Sequence, residues 1–166
     1  MKKCAVVFAG ILRPNLEMVR DCILNLKSQI AEKFEIETYV AAWNSEIFYE
    51  LAADNASKKY IDYLFGYKKP SSEKCLSAIT HAGFQVNNSP LEAPHRRRAH
   101  YRCFWLRKQI MDIVVSVDKY DYIVFSRPDN IIKMGRVDDW FNDYYCMPNG
   151  KNSNLPEVIL LQQLLM

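Results

Sequence analysis

Residues 120–132 read YDYIVFSRPDNII, an apolar run that passes abruptly into Arg127, Pro128, Asp129 and Asn130. Pro128 has no N–H for a sheet ladder and drives Arg127 towards extended backbone, so a strand carrying the apolar run has to end there. In open α/β sheets, ligands bind just beyond the carboxyl ends of strands. At such an end Asp129 offers a hard oxygen ligand of the kind Mg²⁺ or Mn²⁺ uses when it carries a diphosphate, phosphate and water completing its shell. Arg127 either pairs with phosphate oxygens or holds Asp129 in place. The same letters also suit a type I turn with Pro128 and Asp129 at its centre, and the stretch alone permits both.

A second stretch has the same character. In AVVFAGILRPN, Gly10 ends an apolar run where backbone can approach a ligand, and Arg13 stands just ahead of a helix start, where anions are favoured. Glycine and arginine after one strand are a weak signal. Two polar strand exits in one chain are a stronger one.

The elements that must position these residues are legible from periodicity. KCAVVFA (3–9) is continuously apolar, as a strand covered on both faces would be. Asn15 is an N-cap for LEMVRDCILNLKSQIAEK, in which Leu16, Val19, Ile23, Leu26 and Ile30 form one helical stripe. FEIETYVAAWN reads as a second strand, with Ile36, Thr38 and Val40 on one face, which completes a βαβ unit. A helix capped by Ser45 and a short strand in IDYLFGY follow. SSEKCLSAITHAG reads as a short helix beginning at Ser71 or Ser72, and FQVNNSPLEAP as a loop. The longest helix is expected from about Pro94 to Val117. It has an apolar stripe of Cys103, Leu106, Ile110, Ile113, Val114 and Val117 facing the sheet, and Arg98, Arg102, Trp105 and Gln109 beside it. KYDYIVFSR is then a buried strand, NII the start of another, and RVDDWFNDYY a brief helix or turn. Alternation of strands and helices specifies one α/β domain over 1–166, Rossmann-like, with a mostly parallel central sheet flanked by helices. The final EVILLQQLLM is a bare apolar run that reads as a terminal helix or as the end of a C-terminally truncated chain.

The order VVFAGILR, YVAAWN, long helix, YDYIVFSRPDNII resembles a group of GT-A-type nucleotide-sugar glycosyltransferases. These are relatives of the WavE-like lipopolysaccharide and surface-polysaccharide transferases, also encoded by large viruses. Members open with a strand followed by S/A-G-x-x-R, continue to a strand ending in tryptophan, and later carry Y-D-x-h-h-x-x-R-x-D, h being apolar. Gly10 and Arg13 match the first motif, Trp43 the second, and Tyr120, Asp121, Arg127 and Asp129 the third. The resemblance spans residues 3–132 on about fifteen positions. Where members often have histidine before the tryptophan, this chain has Ala42, and there is no literal D-x-D near Asp129.

The resemblance implies a GT-A-like fold and a nucleoside-diphosphate-sugar donor held by Gly10, Arg13, Trp43, Arg127 and, as further diphosphate contacts, Arg98 and Arg102. It also implies Mn²⁺ or Mg²⁺ at Asp129, and transfer to a glycan or other hydroxyl acceptor. It names no catalytic base. The other reading is a non-catalytic nucleotide-binding module or one part of a larger transferase.

Composition narrows the alternatives. The net charge of +3, from 22 basic and 19 acidic residues, would fall to zero without Arg96, Arg97 and Arg98, so no nucleic-acid partner is expected. Those three arginines lie about 100° apart on a helix, and only Arg98 and Arg102 share a face. Five cysteines with no CxxC, and three histidines without ligand spacing, point to reduced thiols and a cytoplasmic setting rather than zinc or a disulfide framework. MKKCAVVFAGIL mimics a signal peptide but meets Arg13-Pro14 without a small-residue cleavage site, and no apolar run reaches the ~18–20 residues that span a bilayer. The acids of VDDW are better read as dipole complements at a helix start. The absence of a P-loop, nucleophile elbow or G-x-G-x-x-G excludes the usual NTPase, hydrolase and dehydrogenase signatures.

Overall fold

In a computed structural model of the chain, residues 1–71, 73–74, 94–129, 146–147 and 157–160 are described, with backbone alone for 94–100, 146–147 and 157–160. The elements are β1 (Lys3–Gly10), α1 (Leu16–Ala31), β2 (Glu35–Trp43), α2 (Glu46–Lys58), β3 (Tyr63–Tyr67), α3 (Pro94–Val117), β4 (Tyr122–Ser126), β5 (Cys146–Met147) and β6 (Glu157–Leu160). The sheet order is β3-β2-β1-β4-β6-β5. Strands β3, β2, β1, β4 and β6 are parallel to their neighbours, and β5 runs antiparallel to β6. The protein is therefore α/β with a Rossmann-like parallel centre.

Alternation along the strands divides the core in two. Cys4, Val6 and Phe8 of β1 join Val40 and Ala42 of β2 and the Val19, Ile23, Leu26 and Ile30 stripe of α1. Ala5, Val7 and Ala9 join Tyr39 and Ala41 and the buried row Leu106, Ile110 and Val114 of α3. Helices thus cover both faces, which is why β1 needs no polar side. The expected α3 stripe is shorter than its periodicity suggests. Leu106, Ile110 and Val114 lie in one straight row at i, i+4, i+8 and are fully buried, whereas Cys103 and Val117 at its two ends are exposed. Among the described side chains of the helix, those fully buried on the sheet belong to its middle turns.

Local chemistry sets the boundaries. Asn15 caps α1, its side-chain oxygen accepting from the Met18 N–H at 2.9 Å. Ser45 caps α2 in the same way from Phe48, and α2 ends on Lys59 in the left-handed region at φ 49°. At the far end of the chain, 157–160 form a strand rather than part of a terminal helix. They pair with β4 from Tyr122↔Glu157 to Phe125↔Leu160 and satisfy the edge that β4 would otherwise leave open. The expected helix beyond Ser71 or Ser72, the loop 84–93, the strand start at NII and the turn in RVDDWFNDYY lie outside the described residues, apart from helical backbone at 73–74.

Gly66 of β3 lies under the start of α2. A Cβ there would fall 2.5 Å from Phe48 Cζ and closer still to Asn44 Oδ1. Gly66→Ala should therefore cost about 1–3 kcal/mol by overpacking, read as a lower urea midpoint with unchanged m-value.

Candidate functional site

β1 and β4 are adjacent and parallel, with Phe8 beside Ser126, so their exits at Gly10 and Arg127 open side by side at the carboxyl edge. From β1 the chain turns through α1 to β2 on one side, while β4 on the other side is reached through α3 on the opposite face. The gap between β1 and β4 is thus the point where the winding of the sheet reverses, the place where open α/β sheets bind ligands.

Gly10 lets the two exits meet. Its φ is +155°, a value L side chains rarely adopt, and an added Cβ would come 3.3 Å from Pro128 Cδ. Pro128 is buried against it, and Pro128–Asp129 do form a turn. The turn reading therefore holds, and the same turn positions the candidate site residue Asp129. It carries Asp129 inward, with a side chain only 11% exposed, while Arg127 stays 49% exposed and Arg13, from the β1 exit, 57%.

The three side chains form one cluster. Arg127 donates from Nε to Asp129 Oδ1 at 2.8 Å and from Nη2 to Oδ2 at 2.7 Å, a bidentate pair. Arg13 donates from Nε to the same Oδ2 at 2.8 Å. Burial pushes the Asp129 carboxyl up, but the hydrogen bonds and charges of Arg127 and Arg13 outweigh it and hold the group below its ordinary value. Its hydrogen bond to Asp129 raises Arg127 in turn. A neighbouring helix flanks the cluster. The Cys22 thiol of α1, pushed up mainly by burial, also feels the Asp129 charge.

The structure brings together Gly10, Arg13, Arg127 and Asp129, while Trp43 and Arg102 make other contacts. Trp43 is buried, its indole stacked on Trp105 of α3 at 5.9 Å and 18°, with Tyr67 edge-on to Trp105 at 5.7 Å. Arg102 donates from Nε to the Pro70 carbonyl at 3.3 Å, tying α3 to the segment after β3. Arg98 lies in the first turns of α3, and its side chain is outside the described residues.

Tyr120 and Asp121, part of the same motif as Arg127 and Asp129, stand at the opposite, amino edge of the sheet. The Asp121 carboxylate accepts from the Lys3 N–H at 2.8 Å, and the Asp121 N–H donates to the Lys3 carbonyl at 2.9 Å. The Tyr120 hydroxyl donates to Glu37 and lies 2.6 Å from the Tyr39 hydroxyl. Burial, with these hydrogen bonds, pushes the Tyr120 phenol up and keeps it protonated. This is a register clamp between β4, β1 and β2. Sequence reasoning missed it, together with Trp105 and Tyr67 as partners of Trp43. The placing of Trp105 one turn beyond Arg102 was the available signal.

The expectation of a divalent ion at Asp129 does not fit this donor set. Both carboxylate oxygens are engaged by guanidinium N–H groups, two cationic side chains stand against them, and no group of three or more His, Cys, Asp or Glu suited to a metal occurs among the described residues. A lone carboxylate neutralised by two arginines is a poor seat for Mg²⁺ or Mn²⁺. Among the described residues, no helix is long and apolar enough to cross a membrane. Compared with known proteins, the chain matches no family model, no curated protein and no solved structure.

Asp129→Asn keeps the shape of the clamp and removes its charge, which should cost about 1–3 kcal/mol at neutral pH. Because the native carboxyl lies below its ordinary value of 3.8, its stabilisation is complete above that value and lost as pH falls through the lower native one. Urea unfolding of both proteins should show the difference closing on acidification. A difference independent of pH would place the loss elsewhere than in this charge.

Proposed function

We propose that this domain binds a nucleoside-diphosphate sugar at the carboxyl edge of β1 and β4 and transfers the sugar to a hydroxyl acceptor, such as a growing glycan. The observation that carries the reading is the Arg13–Asp129–Arg127 cluster at the point where the sheet reverses its winding. Breaking the bond between anomeric carbon and diphosphate builds negative charge on the leaving phosphate, and guanidinium groups already in place stabilise that charge as it develops. Trp105 of α3 and Tyr67 at the end of β3, both half-buried and backed by the buried Trp43, give the carboxyl edge an aromatic flank for a base or sugar ring. The resemblance of the Gly10, Arg13, Arg127 and Asp129 motifs to GT-A transferases supports the same chemistry.

A second reading, a binding module without turnover, is favoured by one feature. Asp129, the carboxylate of the cluster, is engaged by two arginines and is not free to take a proton from an acceptor hydroxyl.

Thermal unfolding with UDP, GDP, dTDP, CDP and ADP, each beside its monophosphate, tests the binding. One diphosphate present at about a hundredfold its Kd should add about 2.7 kcal/mol of stability, a rise of several degrees, and its monophosphate less. If no diphosphate raises the midpoint, the nucleotide reading is wrong. Release of diphosphate from the matching sugar nucleotide then separates a transferase from a binding module.

A further inference from the structure

We infer that the cluster is a metal-independent receptor for a diphosphate, in which Asp129 acts as a positioning residue that holds Arg13 and Arg127 side by side. The inference rests on the nucleotide reading above and replaces the cation it would ordinarily bring. Two guanidinium groups repel each other, yet here both donate to one oxygen, Asp129 Oδ2, at 2.8 and 2.7 Å. They are neighbours only because the carboxylate stands between them. The three charges leave the cluster net positive by one, so it still attracts an anion.

The donors left over are the ones an anion needs. Nη1 and Nη2 of Arg13 and Nη1 of Arg127 make no hydrogen bond among the described residues, and both side chains are about half exposed. A guanidinium whose Nε edge is anchored keeps its outer N–H groups in a fixed plane, the geometry that meets paired phosphate oxygens. Anchoring before the ligand arrives also lowers the rotamer entropy lost on binding. A divalent cation meets the reverse situation. Each guanidinium repels it twice as strongly as it would a single charge, and ligation requires displacing charge-assisted hydrogen bonds from the oxygens it would use.

The test is calorimetric titration of the whole chain with inorganic pyrophosphate in EDTA, then with Mn²⁺ in excess, and with Mn²⁺ alone. Pyrophosphate should bind in EDTA, Mn²⁺ should not be needed, and Mn²⁺ alone should give no binding. Arg13→Ala, an exposed position whose loss leaves the core intact, should weaken pyrophosphate by about tenfold to a hundredfold. Arg127→Lys, which removes the bidentate fork and keeps the charge, should weaken it as well. Asp129→Asn should weaken binding although it adds net positive charge, and should steepen the dependence of affinity on salt, a change that mere loss of structure does not produce.

Binding that requires Mn²⁺, or Mn²⁺ alone bound by the wild type and lost in Asp129→Asn, overturns the metal-independent receptor and leaves the nucleotide reading standing. Binding in EDTA that Arg13→Ala leaves unchanged places the anion elsewhere and overturns it too. If neither pyrophosphate nor any nucleoside diphosphate binds with or without Mn²⁺, both readings fall.

Discussion

Strand β1 has a neighbour on each edge and a helical layer on each face, and from Cys4 to Gly10 each of its residues is buried. A strand so enclosed has no access to water for its backbone, so every N–H and C=O along it must find a partner within the sheet. That constraint orders the rest. It requires β2 and β4 to be in register with β1, and it requires apolar side chains from α1 on one face and α3 on the other. At its carboxyl end the enclosure stops at Gly10, and there the neighbouring exit of β4 and the loop after β1 present polar groups to the outside.

The two ends of β4 show how one motif divides its labour. Tyr120 and Asp121 spend their polar atoms on Glu37, Tyr39 and Lys3, which sets the height of β4 against β1 and β2. A one-residue slip in that register would turn the side chains of β4 to the other face. Arg127 and Asp129 at the other end spend theirs on each other and on Arg13. The amino-edge clamp therefore fixes where the carboxyl-edge cluster forms. Asp129 would not reach Arg13 if β4 were displaced along β1.

Much of this was legible in the sequence, and for physical reasons. Continuous apolar runs specified β1 and β4, three-and-four spacing specified α1, and Asn15 and Ser45 announced helix starts, because each of these signals is local. Gly10, Arg13, Arg127 and Asp129 were singled out because strand exits in α/β domains follow a rule of position. The misreadings arise where the outcome depends on a distant partner. Cys103 and Val117 share the apolar stripe of α3, but its fully buried side chains belong to the turns between them. Residues 157–160 become a strand because β4 needs an edge partner, which no window around them contains. The contact of Asp129 with Arg13 is also of this distant kind, since Arg127 lies two residues away but Arg13 comes from more than a hundred residues off in the chain.

The Trp43–Trp105 contact has an optical consequence. Two indoles 5.9 Å apart and 18° from parallel share their excited states, so their near-ultraviolet circular dichroism carries a coupled signal that neither ring has alone. Trp43 belongs to the sheet and Trp105 to the helix that covers it. The protein thus contains its own intrinsic reporter of whether the middle of α3 is docked, readable in solution without a label.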